Sequence, residues 1–397
     1  MKPHNFCKDC DKSHLWHIST WIEDIIDWVM PKREPPIWFT NVISSFIEKI
    51  LTLPGIGRFR TDIPINDIPL RSLCFMKELE KRGAIPSLLY TFGSCTSHMK
   101  VLVNGKVIRF EGLPTVDWRS TDVTHIVSDK ERTKQHLKKG GFPIATGNSF
   151  TCFEKKKAVQ YGAETLGFPL VIKPRSGSVS RHVTTNISTS KELERAIAYA
   201  LEYSPTFLIE RFIPNSFVYR ATVIDFNFVV CVQQVTANVV GDGISNISTL
   251  IRIKNESPNR GETNEKQFTL YRIKEDDETG SILQEHGYTY ASTPKPGEVV
   301  YLKRNPFLKL GGDLVEVTPF VHKDNVTLFR DIAKHFNIHV TGIDFIAPDI
   351  SISWKEQRCA ILELNGLPCI EMHHFPSSGI PTNPGGALVD MFYKYYV

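Results

Sequence analysis

From about Arg60 onward, short apolar runs of strand length alternate with segments of helical period, and this alternation restricts the fold more than any other feature. Leu73, Met76 and Leu79 fall on one helical face that Gly83 closes. Strand-like runs follow at 87–92, 101–103 and 107–110, with Asn104-Gly105 as a hairpin signal between the last two. Further strands are expected at 125–127, 170–173, 207–210, 222–232, 299–302, 340–346 and 360–364. Thr189-Ser190-Lys191-Glu192 is a capping box opening a helix with Leu193, Ala196, Ile197, Ala200 and Leu201 on one face. Asn325 is expected to cap a helix carrying Val326, Phe329, Ala333 and Phe336. The chain therefore reads as a mixed α/β architecture.

With 397 residues, 41% of them hydrophobic, there is material for two or three domains with sizeable cores. A net charge of +4 is too mild to argue for nucleic acid, and no apolar run reaches the roughly 18–20 residues that span a bilayer. The first residues lack the basic-then-apolar plan of a secretory signal, and eight cysteines are not a disulfide framework, so a reduced cytoplasm is the expected location. Residues 1–60 differ from the rest. Trp16, Ile18, Trp21, Ile22, Ile25, Ile26 and Val29 stripe a helix that Pro31 ends, and a second helix is expected over 41–53. These helices are expected to pack on the main body; a dimer interface or an interfacial membrane helix is the sharper alternative. Cys7, Cys10, His14 and His17 are four residues of metal-ligating type within eleven residues, but their spacing is far shorter than a zinc finger's, and an ordinary polar N-terminus is the expectation.

The chemistry centres on two strand ends. Glu363 and Asn365, two apart on a strand, point to the same face, and Asp344 ends the apolar strand before it. Two carboxylates and an amide carbonyl are hard ligands suited to Mg²⁺ shared with phosphate oxygens, though an E-x-N sequence alone also describes a solvated strand end. Lys173 ends the strand Leu170-Val171-Ile172 and precedes Pro174 and the small residues Ser176, Gly177 and Ser178. There it can neutralise a polyphosphate while backbone N–H groups cover it. Lys130 is a second cation of this kind. The stretch Glu210-Arg211-Phe212-Ile213 leads from a strand into a polar hinge, a slot for adenine, and Arg220 follows on the next strand.

In this order the pieces resemble an ATP-grasp ligase. More narrowly, residues 122–397 resemble the ATP-grasp portion of cyanophycin synthetase. The resemblance runs through Ser128-Asp129-Lys130, Val171-Ile172-Lys173-Pro174, Val239-Val240-Gly241-Asp242-Gly243, Asn259-Arg260-Gly261-Glu262, Gly311-Gly312, Gly342-Ile343-Asp344-Phe345, Glu363-Leu364-Asn365-Gly366 and Met372-His373. It implies an α+β ATP-grasp fold in which two α+β lobes clasp ATP. A small α/β pre-ATP-grasp domain over 61–128 and a helical extension over 1–60 would precede it, with a lid lobe over 129–205 and a C-terminal metal-bearing lobe over 206–397. It also implies an ATP- and Mg²⁺-dependent carboxylate–amine ligase, with Mn²⁺ as the alternative ion, that activates an amino acid or small peptide as an acyl phosphate. By the same resemblance, Lys130 and Lys173 bind phosphates and Asp344, Glu363 and Asn365 hold the metal. Arg220 and Arg304 then stabilise the transferring phosphoryl group. Homo-oligomers would form through the N-terminal helices or the C-terminal lobe.

The chain departs from that pattern where substrate is expected. The lid reads Gly177-Ser178-Val179-Ser180-Arg181-His182, with fewer glycines than the family's, and Val218 stands where the family has an acid. Phe307-Leu308-Lys309-Leu310 replaces a polar stretch, and Glu371 stands where an arginine is expected, two residues before His373. No match to the family's Mur-ligase-like partner module follows, so the expectation is retained ATP chemistry on a substrate other than that of cyanophycin synthesis. An ATP-grasp kinase, or a catalytically weak nucleotide- or partner-binding module, are the alternatives.

Overall fold

A computed structural model describes residues 6–7, 12–13, 15–29, 49–53, 56–116, 126–127, 129–176, 181–263 and 265–397. The chain divides into two compact units. The first comprises 1–35, 120–216 and 344–365, and the second 36–119, 217–343 and 366–397.

The first unit is built on an antiparallel sheet whose strands lie in the order Gly147–Thr151, Thr206–Arg211, Leu170–Pro174, Thr184–Ile187. One sheet face is apolar because Phe207 and Ile209 alternate with Leu208 and Glu210, and Ile172 pairs with Ile209. That face is covered by the helix Ser190–Leu201, opened by the expected capping box, and by Lys155–Gln160. Phe150, Leu170, Ile172, Leu193, Ala196, Ile197, Phe207 and Ile209 close the core. A Cβ on Gly147 would lie 2.0 Å from the Ile209 carbonyl, so only glycine lets these two strands approach here. Asp344–Asn365 adds the end of the strand Val340–Ala347 and its sheet neighbour Ala360–Asn365. The latter is anchored by Ile361 N–H donating to Pro143 O at 2.9 Å.

The N-terminal helix Leu15–Val29 also belongs to this unit. It holds on through polar groups rather than through its isoleucines. Trp21 Nε1 donates to Leu201 O at 3.1 Å, and Asp24 accepts from Ser176 Oγ at 2.8 Å and from Ser204 Oγ. Ile18, Ile22, Ile25 and Ile26 are all about half exposed. Of the second helix expected over 41–53, residues 49–53 are described, and 49–51 are helical.

The second unit holds an antiparallel sheet, Gly57–Arg60, Ile85–Thr91, Ser94–Val103, Lys106–Glu111, covered by the helices Leu70–Glu80 and Pro384–Tyr396. Asn104 and Gly105 take positive φ, so the expected hairpin forms with Val103 opposite Lys106. Phe75, Phe110 and Phe392 meet edge to face at its centre. A second sheet brings together Asp313–Glu316, Phe228–Val235, Phe217–Ile224 and the start of Val340–Ala347.

Several expectations are corrected. The run 222–232 is a hairpin, not one strand, because Asp225 and Phe226 adopt positive φ and turn the chain. Ile126 and Val127 are helical rather than extended. The helix Lys323–His335 is capped by His322, whose ring accepts from Asp324 N–H; Asn325 is buried inside it. The strand expected over 101–103 begins at Ser94, so it includes Thr96, Ser97 and His98. All seven described cysteines are free thiols. Burial pushes Cys74 up to about 12 and Cys359 up to about 11, and holds Cys231 well above its usual value.

Candidate nucleotide and metal site

On the sheet face of the first unit opposite its apolar core, Lys173 pairs with Leu208 and Glu210 with Val171, so Lys173 and Glu210 are diagonal neighbours. Lys173 Nζ lies 2.7 Å from Glu210 Oε2, and Lys134 Nζ lies 2.9 Å from Glu210 Oε1. Burial opposes charge on Glu210, but the two ammonium groups outweigh it and hold the carboxylate below its usual range. Expected to face the exocyclic amine of adenine, Glu210 instead sits in a grip of lysines.

Lys134 arrives on the helix Lys130–Lys139, which Lys130 begins. Asp129 caps it, accepting from the N–H groups of Glu131 and Arg132, and Arg175 fixes the same carboxylate through Nε at 3.1 Å and Nη2 at 2.7 Å. This places Lys130, Thr133, Lys134 and Leu137 on one helical stripe, which together with Lys173, Glu210 and Ile361 lines a small cleft. Burial pushes the Lys130 ammonium down, as does Lys173, while Glu363, Asp129 and Glu210 pull it up. The phosphate-binding candidates and one metal-binding candidate thus share one electrostatic environment. A larger concavity of about 360 Å³, lined by Asn148, Ser149, Lys157 and Tyr161 among others, contains neither Lys130 nor Lys173. Converging charge rather than volume marks the smaller cleft as the candidate site.

Asp344 is buried, and Glu363 and Asn365 are side by side, with Asn365 Nδ2 donating to Glu363 Oε1 at 3.3 Å. Two carboxylates and an amide on neighbouring strands fit a hard divalent cation, which would add Lewis acidity and charge neutralisation at bound phosphates.

Other expected residues lie elsewhere. Arg211 is on the core side of the sheet, donating to Leu166 O at the end of a helix, and so does not join Glu210. The Phe212 N–H is bonded to Pro169 O at 3.0 Å, and Ile213 O accepts from Ser216 Oγ at 2.6 Å. Ser176 is bonded to Asp24, Arg181 is half-buried, and Gly177 and Ser178 lie outside the described residues. His182 is fully buried, with Nδ1 2.8 Å from Tyr199 O.

The second unit carries its own charged cluster. Arg71 Nε faces Glu371 Oε2 at 3.6 Å, and Arg71 Nη2 donates to Cys369 Sγ at 3.1 Å. Glu371, the charge-reversed position, is thus matched by an arginine from another helix. Arg220 acts on the ionisation of both Cys369 and His373. His373 is buried between Thr222 Oγ1, 2.8 Å from Nε2, and Glu316 Oε2, 3.3 Å from Nδ1; its burial lowers its pKa. Arg304 is exposed and held by both oxygens of Glu285, Phe307 begins a single 3₁₀ turn, and Lys309 is exposed.

No family model matches the chain. The cyanophycin synthetases of Trichormus variabilis and of a Nostoc species are each 34% identical over 279 residues, covering 69% of this chain and 30% of theirs. A glutathione biosynthesis bifunctional protein of Streptococcus agalactiae is 30% identical over 258 residues, covering 64% of this chain and 34% of its own. The chain therefore spans about a third of the length of these curated relatives. The crystal structure of a bifunctional glutathione synthetase from Pasteurella multocida superposes with a TM-score of 0.64 at 23% identity, over 83% of this chain and 44% of that one. The chain has an ATP-grasp fold.

Within the ATP-grasp fold, sequence reading missed the residues that organise the site. Lys134 is the second cation on Glu210, and its signal is its place four residues after Lys130 on the same stripe. Arg175 locks the cap of that helix, and Arg71 answers Glu371; both depend on long-range contacts with no local pattern.

Proposed function

We propose that this chain is an ATP- and Mg²⁺-dependent carboxylate–amine ligase. The observation that carries the reading is the convergence of Lys130, Lys134 and Lys173 on Glu210 in the unit that also holds Asp344, Glu363 and Asn365. Its curated relatives are named cyanophycin synthetase and glutathione biosynthesis protein, which accords with amide-forming chemistry.

A carboxylate is a poor electrophile because its leaving group would be oxide. Transfer of the γ-phosphoryl group to a carboxylate oxygen gives an acyl phosphate and ADP. An amine then attacks the acyl carbon, inorganic phosphate leaves, and the amine proton is lost as the amide forms. In this scheme Lys130 and Lys173 bind phosphate oxygens, and Lys134 keeps Glu210 charged so that Lys173 stays oriented. Asp344, Glu363 and Asn365 hold Mg²⁺, or Mn²⁺ in its place. Within the second unit, Arg220 is the positive charge that suits a substrate carboxylate. The substrates are an amino acid or small peptide and an amine. Among the described residues no helix is long and apolar enough to cross a membrane, and a cytoplasmic setting suits a supply of ATP.

The test is ADP release with Mg-ATP and a panel of amino acids and short peptides, with product masses read in parallel and Glu363→Ala as control. A product equal to two substrates less one water supports the ligase. A product carrying an added phosphate, with no condensed mass, would replace it with a kinase.

A further inference from the structure

Cys7, His17 and His182 are all buried in the first unit, and their Sγ and ring nitrogens lie within 4.8 Å of one another. The sequence alone places four candidate ligands too closely together at the N-terminus. The fold instead brings in a ligand 175 residues away in sequence from Cys7. His182 Nδ1 is 2.8 Å from Tyr199 O, a geometry in which Nδ1–H donates and Nε2 keeps its lone pair. That lone pair meets Cys7 Sγ at 3.3 Å. Two ligands about 2.3 and 2.0 Å from a tetrahedral zinc stand about 3.5 Å apart, so this edge already has the right length. The His17 ring meets the His182 ring edge-on, with planes at 86° and centroids 5.0 Å apart, so the two imidazoles approach one point from different directions. Tyr199 and Tyr203 wall the cluster off with aromatic surface. A thiol and two imidazoles drawn together in such a place match the donor set of a borderline-soft cation, unlike the oxygen set of Asp344, Glu363 and Asn365.

We infer that Cys7, His17 and His182 form a structural zinc site, supplying three of four tetrahedral positions. Zinc binding displaces the Cys7 thiol proton to solvent and leaves both imidazoles neutral. The site has a clear mechanical role. His182 closes the stretch 177–181, and Ser176, which opens it, is bonded to Asp24 of the N-terminal helix. Ser176 and His182 are therefore both tied to the N-terminal segment, one by a hydrogen bond and the other by the metal. The inference is independent of the ligase reading, because it concerns neither nucleotide nor substrate.

The experiment uses the full chain purified without a polyhistidine tag, with zinc counted by mass spectrometry and the protein then loaded with Co²⁺ as a spectroscopic probe. About one zinc per chain is expected, and the cobalt form should show a sulfur-to-cobalt charge-transfer band with the visible spectrum of a tetrahedral ion. Cys7→Ser should abolish the sulfur band, whereas Cys359→Ser should leave it intact. His17→Cys keeps three ligands and should retain the metal while about doubling the sulfur band, which separates loss of a ligand from loss of the fold. His182→Ala should weaken zinc binding by roughly 100-fold. Absence of the band from the wild-type chain under cobalt titration, or its persistence in Cys7→Ser, would overturn the site.

Discussion

Lys173 Nζ stands 2.7 Å from Glu210 Oε2 across two neighbouring strands, and the carboxylate's other oxygen is taken by Lys134. Removing Lys173 therefore does more than delete a phosphate ligand. Lys173→Met leaves Glu210 buried with one cation, and we expect a loss of about 2–4 kcal/mol in urea unfolding at pH 7. The double variant Lys173→Met/Glu210→Gln should recover part of that stability while leaving ATP binding weak. Stability and nucleotide affinity thus separate in the two measurements.

The metal assignment makes a different prediction. Asp344→Asn and Glu363→Ala should each lower substrate-stimulated ADP release by about 100-fold or more, as loss of a group acting on developing phosphoryl charge does. Their unfolding midpoints should move little compared with Lys173→Met. Unchanged turnover in Glu363→Ala would remove that residue from the reaction.

His374 gives a pH signature. Burial lowers its pKa to about 4 from 6.5, and its Nε2 accepts the Gly385 N–H at 3.2 Å. The unfolded chain takes up a proton below pH 6.5 while the folded chain does not until about 4. The resulting stability is complete above pH 6.5 and is lost as pH falls toward 4. His374→Gln keeps an acceptor for Gly385 without titrating. Its stability should fall less than the wild type's between pH 7 and pH 5, as measured by urea unfolding.

Arg260 should prove structural. Its Nη1 donates to Tyr271 O at 2.6 Å and Gly311 O at 3.1 Å, and its Nη2 pairs with Asp313, which Lys254 also holds at 2.6 Å. Arg260→Met takes one of two cations from the half-buried Asp313 carboxylate and the donor from two carbonyls, for an expected cost of about 3–5 kcal/mol in chemical denaturation. Arg260→Lys should restore only part of it, because a single ammonium cannot serve the carboxylate and the carbonyls at once.

Local signals in the sequence were the legible ones. The capping box at Thr189–Glu192 and the Asn104-Gly105 turn each depend on neighbours within four residues, and both form as expected. The side-by-side placement of Glu363 and Asn365, and the pairing of their strand with the one bearing Asp344, follow from strand period and a short connection. At 222–232 the apolar flanks outweighed the turn residues Asp225 and Asn227 between them, and the chain turns at Asp225 and Phe226. Arg211 was read as part of the adenine slot from adjacency to Glu210, yet the two-residue period of a strand sends the neighbours to opposite faces. The His182 cluster was illegible because its members meet only after the fold has formed.

The protonated state of the buried thiols has a practical side. At neutral pH a group titrating at about 12, such as Cys74, is thiolate in only about one molecule in 10⁵. Cys231 and Cys359 are held in the same direction. Alkylating reagents and dissolved oxygen attack the thiolate, so the intact fold shields these side chains from both. Uptake of iodoacetamide at these positions therefore becomes a clock for unfolding, and a preparation stored without reductant should age by opening first and oxidising second.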